Sequence, residues 1–208
     1  MLRTYIYVDG FNLFYGAVKD TPYKWLKLMA MCRGLLKPHH DILVIKYFTA
    51  HVHSTQYDPQ KQNRQEIYLK ALNAYIPEIE IRYGHFLSNP KKLPLVHPKP
   101  PEYVAEVINT EEKGSDVNLA LHFLNDAWLG NYDCGVIISN DSDFAEAVRL
   151  VRNYRNKIVG IINPQKNKNS KELSEHANFT RRIRASLLAA SQLPDPIPGT
   201  NIFRPKVW

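Results

Sequence analysis

The sequence predicts an α/β fold, a doubly wound, mostly parallel sheet with helices on both of its faces. Short apolar runs alternate along the chain with segments that have helical spacing. Some of these runs, such as residues 135–138, are apolar throughout, which is typical of strands that are buried on both faces. Acidic and turn-forming residues directly follow two of the runs, as they do at the ligand-binding strand ends of such sheets.

The first half of the chain is assigned from its hydrophobic spacing and its turn signals. A β-branched and aromatic run predicts the first strand, which ends at Asp9-Gly10. Asp58-Pro59 is typical of a helix start, with an N-cap followed by proline at the first helical position. The predicted elements are strands at 5–8 and 42–52 and helices at 11–15, 25–36 and 59–76.

The second half follows the same alternation, interrupted by one proline-rich excursion at residues 88–101 that we expect to form an extended ribbon or loop. Gly130 indicates the end of a helix that begins at Ser115. We expect this helix to bury a face formed by Val117, Ala120, Leu121 and Leu124. The remaining predicted elements are strands at 79–87, 135–139 and 157–162 and a helix at 144–153.

The composition is that of a globular protein with a basic balance. The 208 residues are 44% hydrophobic and 23% charged, and 27 Lys and Arg against 20 Asp and Glu give a net charge of +7. That excess favours a polyanionic partner. Cys32 and Cys134 form no metal-binding or secretory pattern, so both are predicted to be reduced. No apolar stretch reaches the roughly 18 residues of a membrane span, and the expected location is the cytoplasm.

Four acidic residues stand where a sheet of this kind would bring them together. Asp9 follows the first strand, Asp141 and Asp143 follow the strand at 135–139, and Asp116 lies in the first turn of a helix. Carboxylates held this close repel one another unless a cation neutralises them. Oxygen ligands without a Cys or His pattern suit Mg²⁺ or Mn²⁺. Asp116 and Asp143 taken singly also fit ordinary first-turn and capping positions.

Three segments resemble, in order and spacing, the signature segments of NYN-domain proteins, which are PIN-like nucleases, and the resemblance is closest to the bacterial LabA-like branch. They are Tyr7-Val8-Asp9-Gly10-Phe11-Asn12, Lys113-Gly114-Ser115-Asp116-Val117-Asn118-Leu119-Ala120 and Ile138-Ser139-Asn140-Asp141-Ser142-Asp143-Phe144. The resemblance implies a PIN-like, Rossmann-type catalytic domain at residues 1–163. Residues 164–208 would then be a basic, proline-rich C-terminal extension packed on that domain.

The resemblance also implies site residues. Asp9, Asp116, Asp141 and Asp143 match the family's acidic metal ligands, Asn12 matches a catalytic asparagine, and Ser139 matches a serine before the aspartate cluster. Many relatives have Gly where this chain has Asn140. Many also have a further acid on the helix after Asp116, where His122 or Asp126 could stand instead, and neither is assigned.

The leading hypothesis is a metal-dependent endoribonuclease in which Asp9, Asp116 and Asp141 hold Mg²⁺ or Mn²⁺ and Asp143 acts as a ligand or as a general base. A non-catalytic RNA-binding or regulatory module is the alternative. Aspartyl-phosphate chemistry at Asp9 is a third reading, although the strand lacks a second Asp two residues later.

Basic residues that could hold phosphates cluster in two regions, the proline-rich excursion and the chain after the last predicted strand. Single-stranded or structured RNA is the expected substrate, no membrane is expected, and a homodimer is possible. The basic residues proposed to contact nucleic acid, together with Ser139, are Lys113, Lys166, Lys168, Lys171, Arg181, Arg182 and Arg184.

Overall fold

The protein forms a six-stranded parallel sheet with helices on both faces and a separate two-stranded antiparallel hairpin. The structure is a computed structural model that describes residues 1–166 and 170–208. The strands are β1 Leu2–Asp9, β2 His40–Thr49, β3 Ile79–Tyr83, β4 His85–Lys99, β5 Glu102–Lys113, β6 Cys134–Ile138, β7 Ile158–Asn163 and β8 Phe179–Arg182. The helices are α1 Gly10–Leu13, which continues into a π-helical turn Phe14–Val18, α2 Leu28–Leu35, α3 Lys61–Tyr75, α4 Ser115–Leu129, α5 Ala145–Arg155, α6 Lys171–His176 and α7 Ala185–Ala190.

The strand order of the main sheet is β3-β2-β1-β6-β7-β8, and all neighbouring strands are parallel. The chain first builds outward from β1 through β2 to β3 and then returns to place β6 on the other side of β1. Strand order therefore reverses between β1 and β6. The fold is the predicted doubly wound α/β fold, and its reversal point is where ligands bind in sheets of this kind.

Alternating strand residues supply two apolar cores, one on each face of the sheet. Ile6 and Val8 of β1 pack in the core shared with α1, α2 and α3, whereas Tyr7 between them packs in the core shared with α4 and α5. A strand buried on both faces is apolar at most positions, which explains the continuous apolar runs in the sequence.

The proline-rich excursion forms a hairpin that is longer than expected, because β4 and β5 pair from His85 and Lys113 outward. The third predicted strand, at 79–87, is correspondingly split at Gly84. A Cβ at Gly84 would lie 2.4 Å from the Glu112 carboxylate and 2.6 Å from the Lys113 carbonyl oxygen, so only glycine fits where the hairpin leaves the sheet. Prolines are tolerated in β4 because a two-stranded ribbon has free edges.

Two local helix predictions are wrong in detail. Helix α3 begins at Lys61, because Asp58 belongs to a turn with Thr55 and forms an ion pair with Arg64 instead of capping the helix. Helix α4 buries Leu119, Phe123 and Ala127, while Val117 and Leu121 of the expected face are exposed. The face of α4 that is buried is the one that packs against the aromatic side chains of the sheet. Helical spacing alone cannot predict which face that will be.

The described residues of the C-terminal region, 164–166 and 170–208, pack on the domain and also add to its sheet, since β8 pairs with β7 beyond the expected boundary at residue 163. The proline-rich end is fixed to the body, where Trp25 donates a hydrogen bond of 3.0 Å to the Pro194 carbonyl oxygen. Cys32 and Cys134 are free and buried. Within the described ranges no helix is both long and apolar enough to cross a membrane.

Candidate active site

The candidate site is a cleft at the carboxyl ends of β1 and β6, where the strand order reverses. Asp9 ends β1 and caps α1, so the local backbone fixes its carboxylate at the sheet edge. One carboxylate oxygen accepts from the Asn12 backbone N–H at 2.9 Å and the other accepts from the Ser139 hydroxyl at 2.9 Å. Because both oxygens are held, the orientation of the Asp9 carboxylate is set by residues of two different motifs.

One further hydrogen bond joins the first sequence motif to the third, and another lies within the third motif. The Asn140 backbone N–H donates to the Asn12 side-chain oxygen at 3.2 Å, and the Asp141 backbone N–H donates to the Ser139 hydroxyl at 3.1 Å. Asn12 and Ser139 therefore act here as bracing residues between β1 and β6. The structure therefore gives Asn12 a structural role at the site, and the catalytic role assigned to it from the sequence stays a prediction.

Three of the four predicted acids line one cleft of about 710 Å³, namely Asp9, Asp116 and Asp141. Asp143 does not line it, and its backbone N–H instead donates to the Asp141 carboxylate at 3.1 Å. The sequence analysis missed Glu112, which lines the same cleft from the base of the hairpin and accepts from the Ser115 backbone N–H at 3.1 Å. The sequence signal that could have identified Glu112 is its position directly before the Lys113–Ala120 motif.

Burial and mutual repulsion raise the pKa values of two acids in this cluster. Desolvation, followed by repulsion from Asp9, Asp141, Glu112 and Asp143, raises the pKa of Asp116 to about 6. Burial also raises the pKa of Asp9, although its hydrogen bonds from Asn12 and Ser139 partly oppose the shift. The cluster is therefore short of positive charge, which is the usual electrostatic state of a cation site that is considered without its cation.

The donor set fits Mg²⁺ or Mn²⁺ in its chemistry, since the lining acids supply only hard oxygen atoms. The buried Ser115 hydroxyl next to Asp116 has no hydrogen-bond partner within the described ranges. Among residues 1–166 and 170–208, however, no three His, Cys, Asp or Glu side chains are arranged so as to hold a metal ion.

Neither residue considered for a further acid lies in the cleft. Asp126 accepts hydrogen bonds from Lys46 at 2.6 Å and from Tyr7 at 2.7 Å within the core. Burial opposes its ionisation, but the hydrogen bonds led by that from Lys46 outweigh burial and hold the pKa of Asp126 below its ordinary value. His122 packs against Phe48, and desolvation lowers its pKa.

The basic residues predicted to bind phosphate are exposed wherever the structure describes them, and none of these lines the acid cleft. Ser139, which was predicted to contact nucleic acid with them, is instead fully buried. Lys166 lines a neighbouring groove with Asn12, and Arg181 and Arg182 line a third with Asn140. Lys113 pairs with Glu111 at 2.6 Å. Lys171 and Arg184 are exposed on α6 and before α7, and Lys168 lies outside the described residues.

A parallel α/β sheet with clustered acids at its reversal point defines the PIN-like class of nuclease-like domains. The family model for the NYN domain matches residues 3–183, and the chain belongs to that family, which is part of the PIN-like superfamily. The match confirms the family predicted from the three motifs and extends it to the end of β8. The LabA-like branch stays a prediction.

Two individual proteins add to this comparison. The chain is 33% identical over 235 aligned positions to a Pseudomonas putida protein named 6-hydroxy-3-succinoylpyridine 3-monooxygenase HspA, covering 100% of this chain and 75% of the relative. A Vibrio parahaemolyticus protein of unknown function has a similar solved structure, with a TM-score of 0.55, 17% identity, and coverage of 88% of this chain and 94% of that one. The similarity to the Vibrio parahaemolyticus protein shows a shared fold alone.

Proposed function

We propose that the protein is a metal-dependent endoribonuclease that hydrolyses RNA phosphodiester bonds. The observation that carries the proposal is the convergence of Asp9, Asp116 and Asp141 in one cleft at the reversal point of an NYN-domain sheet. The raised pKa of Asp116 supports it, because a cluster of mutually repelling carboxylates costs folding stability and is characteristic of functional sites.

In this proposal binding of Mg²⁺ or Mn²⁺ would draw Asp9, Asp116 and Asp141 of the cleft into a ligand set that the described residues do not form on their own, and Glu112 would add a fourth carboxylate from the hairpin. The bound ion would act as a Lewis acid toward the phosphate and would make a bound water more acidic. Asn12 and Ser139 keep the Asp9 carboxylate in one orientation through their hydrogen bonds. Asp143, which is exposed and does not line the cleft, accepts the proton of the attacking water through an intervening water.

The basic residues that flank the cleft hold the RNA backbone in this proposal. Lys166, Arg181 and Arg182 lie together at or beyond the carboxyl ends of β7 and β8, where Arg182 donates a hydrogen bond of 3.3 Å to the Lys166 carbonyl oxygen. A strand of RNA that contacts these residues would extend from the ends of β7 and β8 toward the acids at the ends of β1 and β6. Contacts of this kind are sequence-independent and weaken with salt.

The test compares wild type with Asp9→Asn and Asp141→Asn on mixed RNA and DNA, with Mg²⁺, Mn²⁺ or EDTA. We expect RNA cleavage by wild type with either metal, no cleavage with EDTA, and a loss of at least about 100-fold in both variants. Asp41→Asn, near the amino-terminal end of β2 and outside the cleft, is the matched control and should cleave normally. Undiminished cleavage by both site variants contradicts the proposal, and metal-independent RNA binding without cleavage favours a non-catalytic RNA-binding module.

A second candidate function is oxygenation of a small aromatic compound, and the specific observation that favours it is the 33% identity to the Pseudomonas putida monooxygenase over the whole chain. Such a reaction consumes O₂ and a reductant. The test is oxygen uptake by the purified protein with NADH and 6-hydroxy-3-succinoylpyridine. Uptake that depends on the pyridine supports this candidate, and absence of uptake together with RNA cleavage excludes it in favour of the first.

A further inference from the structure

The hairpin of β4 and β5 is an arm whose side chains are nearly all exposed. Between residues 87 and 111 only Ala105 and Asn109 are half-buried, and every other side chain is exposed. Apolar side chains are among them, including Tyr103, Val104 and Ile108, the last of which is 69% exposed. A two-stranded ribbon in water is marginally stable by itself, and further strands stabilise it. The arm therefore has both the exposed apolar surface and the physical reason to bind a partner.

The prolines of β4 show which backbone groups of the arm point outward. Pro90 pairs with Ile108, and Pro94 pairs with Val104. Because proline has no N–H to donate, these are the pairs whose backbone groups point away from the opposite strand. Ile108 and Val104 therefore direct their N–H and C=O groups to the outer edge of β5, and so does Glu106 between them.

The two outer edges of the arm differ in their ability to accept another strand. On β4 the outward positions Pro90 and Pro94 lack an N–H, and Lys91 and Lys92 lie between them. Prolines and lysines are the residues with which natural proteins block edge strands. Strand β5 contains no proline. Its edge is therefore open to the addition of an extended strand.

The charges of β5 favour a second copy of the same strand in one register. Two identical antiparallel strands related by a two-fold axis pair their residues symmetrically about one central residue. With Ile108 at the centre, no two like charges face each other across residues 103–113. The facing pairs are then Tyr103 with Lys113, Val104 with Glu112, Ala105 with Glu111, Glu106 with Thr110 and Val107 with Asn109.

The two adjacent registers are disfavoured by repulsion. A centre at Val107 places Glu102 opposite Glu112, and a centre at Asn109 places Glu106 opposite Glu112. Like charges directly opposite each other on neighbouring strands are destabilising. The register about Ile108 therefore combines full-length pairing with the absence of this repulsion.

We propose that the arm joins two copies of this chain into a dimer, in which the two β5 strands pair antiparallel about Ile108. The arms then form one four-stranded sheet of order β4-β5-β5-β4, with the blocked β4 edges outermost. Glu112 lies at the paired edge and also lines the acid cleft, so the second copy reaches the mouth of that cleft. The inference goes beyond RNA cleavage and stands whether or not either catalytic proposal holds, because it concerns assembly alone.

The first test is the mass of the full chain by size-exclusion chromatography with light scattering, at concentrations up to about 100 μM. We expect wild type to reach twice the chain mass of 24.0 kDa. Ile108→Glu and Ile108→Lys should each be monomeric, because each places two like charges across the axis. An equimolar mixture of these two variants should form a dimer, since opposite charges then face each other. Leu93→Glu adds the same charge to β4 and is the matched control, which should dimerise like wild type.

The second test is disulfide crosslinking under mild oxidation. Ile108→Cys should crosslink, because self-facing residues at this position lie about 5.5 Å apart between Cα atoms. Glu106→Cys should not, because the two copies of residue 106 lie about 14 Å apart in this register. The native Cys32 and Cys134 are buried and do not compete. Circular dichroism confirms that each variant folds, as expected for changes at exposed positions.

Four results overturn the proposal. A wild type that stays monomeric shows that the β5 edge serves another partner, such as an extended peptide or a nucleic acid. A dimer that persists in Ile108→Glu shows that the interface lies elsewhere. Failure of the Ile108→Glu and Ile108→Lys mixture to associate, or equal crosslinking of Ile108→Cys and Glu106→Cys, shows that Ile108 does not lie at the axis.

Discussion

Replacement of Asp116 with Asn should stabilise the metal-free protein while it removes a proposed metal ligand. The Asp116 carboxyl is desolvated and faces the carboxylates of Asp9, Asp141 and Glu112, so its ionised form is disfavoured in the folded state. An amide of nearly the same shape removes the charge and keeps the packing. The change therefore isolates the electrostatic cost of the cluster.

The pKa of Asp116 gives the magnitude. Its rise from 3.8 to about 6 corresponds to an upper bound of about 3 kcal/mol at neutral pH. Because the side chain is still exposed to solvent, screening reduces the expected gain to about 1 kcal/mol. Below pH 3.8 the carboxyl is protonated in both states and costs nothing. The cost develops as pH rises from about 4 to 6, and it is present in full above pH 6.

The assay is urea unfolding of wild type and Asp116→Asn in EDTA at pH 4 and pH 7, with Asp41→Asn as a carboxylate control outside the cleft. We expect about 1 kcal/mol of added stability at pH 7, or about 3 °C in thermal midpoint, and almost none at pH 4. The reasoning is refuted if Asp116→Asn is no more stable than wild type at pH 7, or if its gain is the same at both pH values.

Three further predictions concern the scaffold. Lys46→Met should lower the free energy of unfolding by about 3–5 kcal/mol, because it leaves the Asp126 carboxylate buried without its cation, and adding Asp126→Asn should recover most of the loss in urea titrations. Gly10→Ala should lower the free energy of unfolding by at least about 2 kcal/mol, because its Cβ would lie 2.7 Å from a backbone carbonyl oxygen. Gly34→Ala should lower it less, because the new Cβ would meet only the end of a flexible leucine side chain. The thermal midpoints of the two variants test this difference. Replacing residues 89–109 of the hairpin with Asn-Gly should change the unfolding free energy by less than about 1 kcal/mol, because these residues are almost all exposed, and a larger loss in the same titration would show that the arm stabilises the body.

The sequence predicted the parts of the fold that depend on local pattern. Continuous apolar runs identified strands such as β6, since only a strand covered on both faces has no polar position. Helix α4 was placed with its correct ends by Ser115 and Gly130, but its buried face was misassigned. The reason is that helical spacing allows more than one apolar stripe, and contact with the sheet selects between them.

The candidate site, like the fold, was predicted only in part from the sequence. The motifs carrying Asp9, Asp116 and Asp141 were visible in the sequence, and the structure brings these three side chains to one cleft. Glu112 was missed because it belongs to a hairpin whose path depends on Gly84 and on no periodic pattern. The sequence alone could not show that Asp126 lies outside the candidate site, because its partner Lys46 is 80 residues away along the chain.

By itself the sequence determined the α/β class and the NYN family and singled out three acids that line the cleft, because these depend on local hydrophobic pattern and on short motifs. Only the tertiary structure decided which acids face one another and which serve the core. Those outcomes depend on strand order and on contacts between distant segments, and neither is encoded in local spacing.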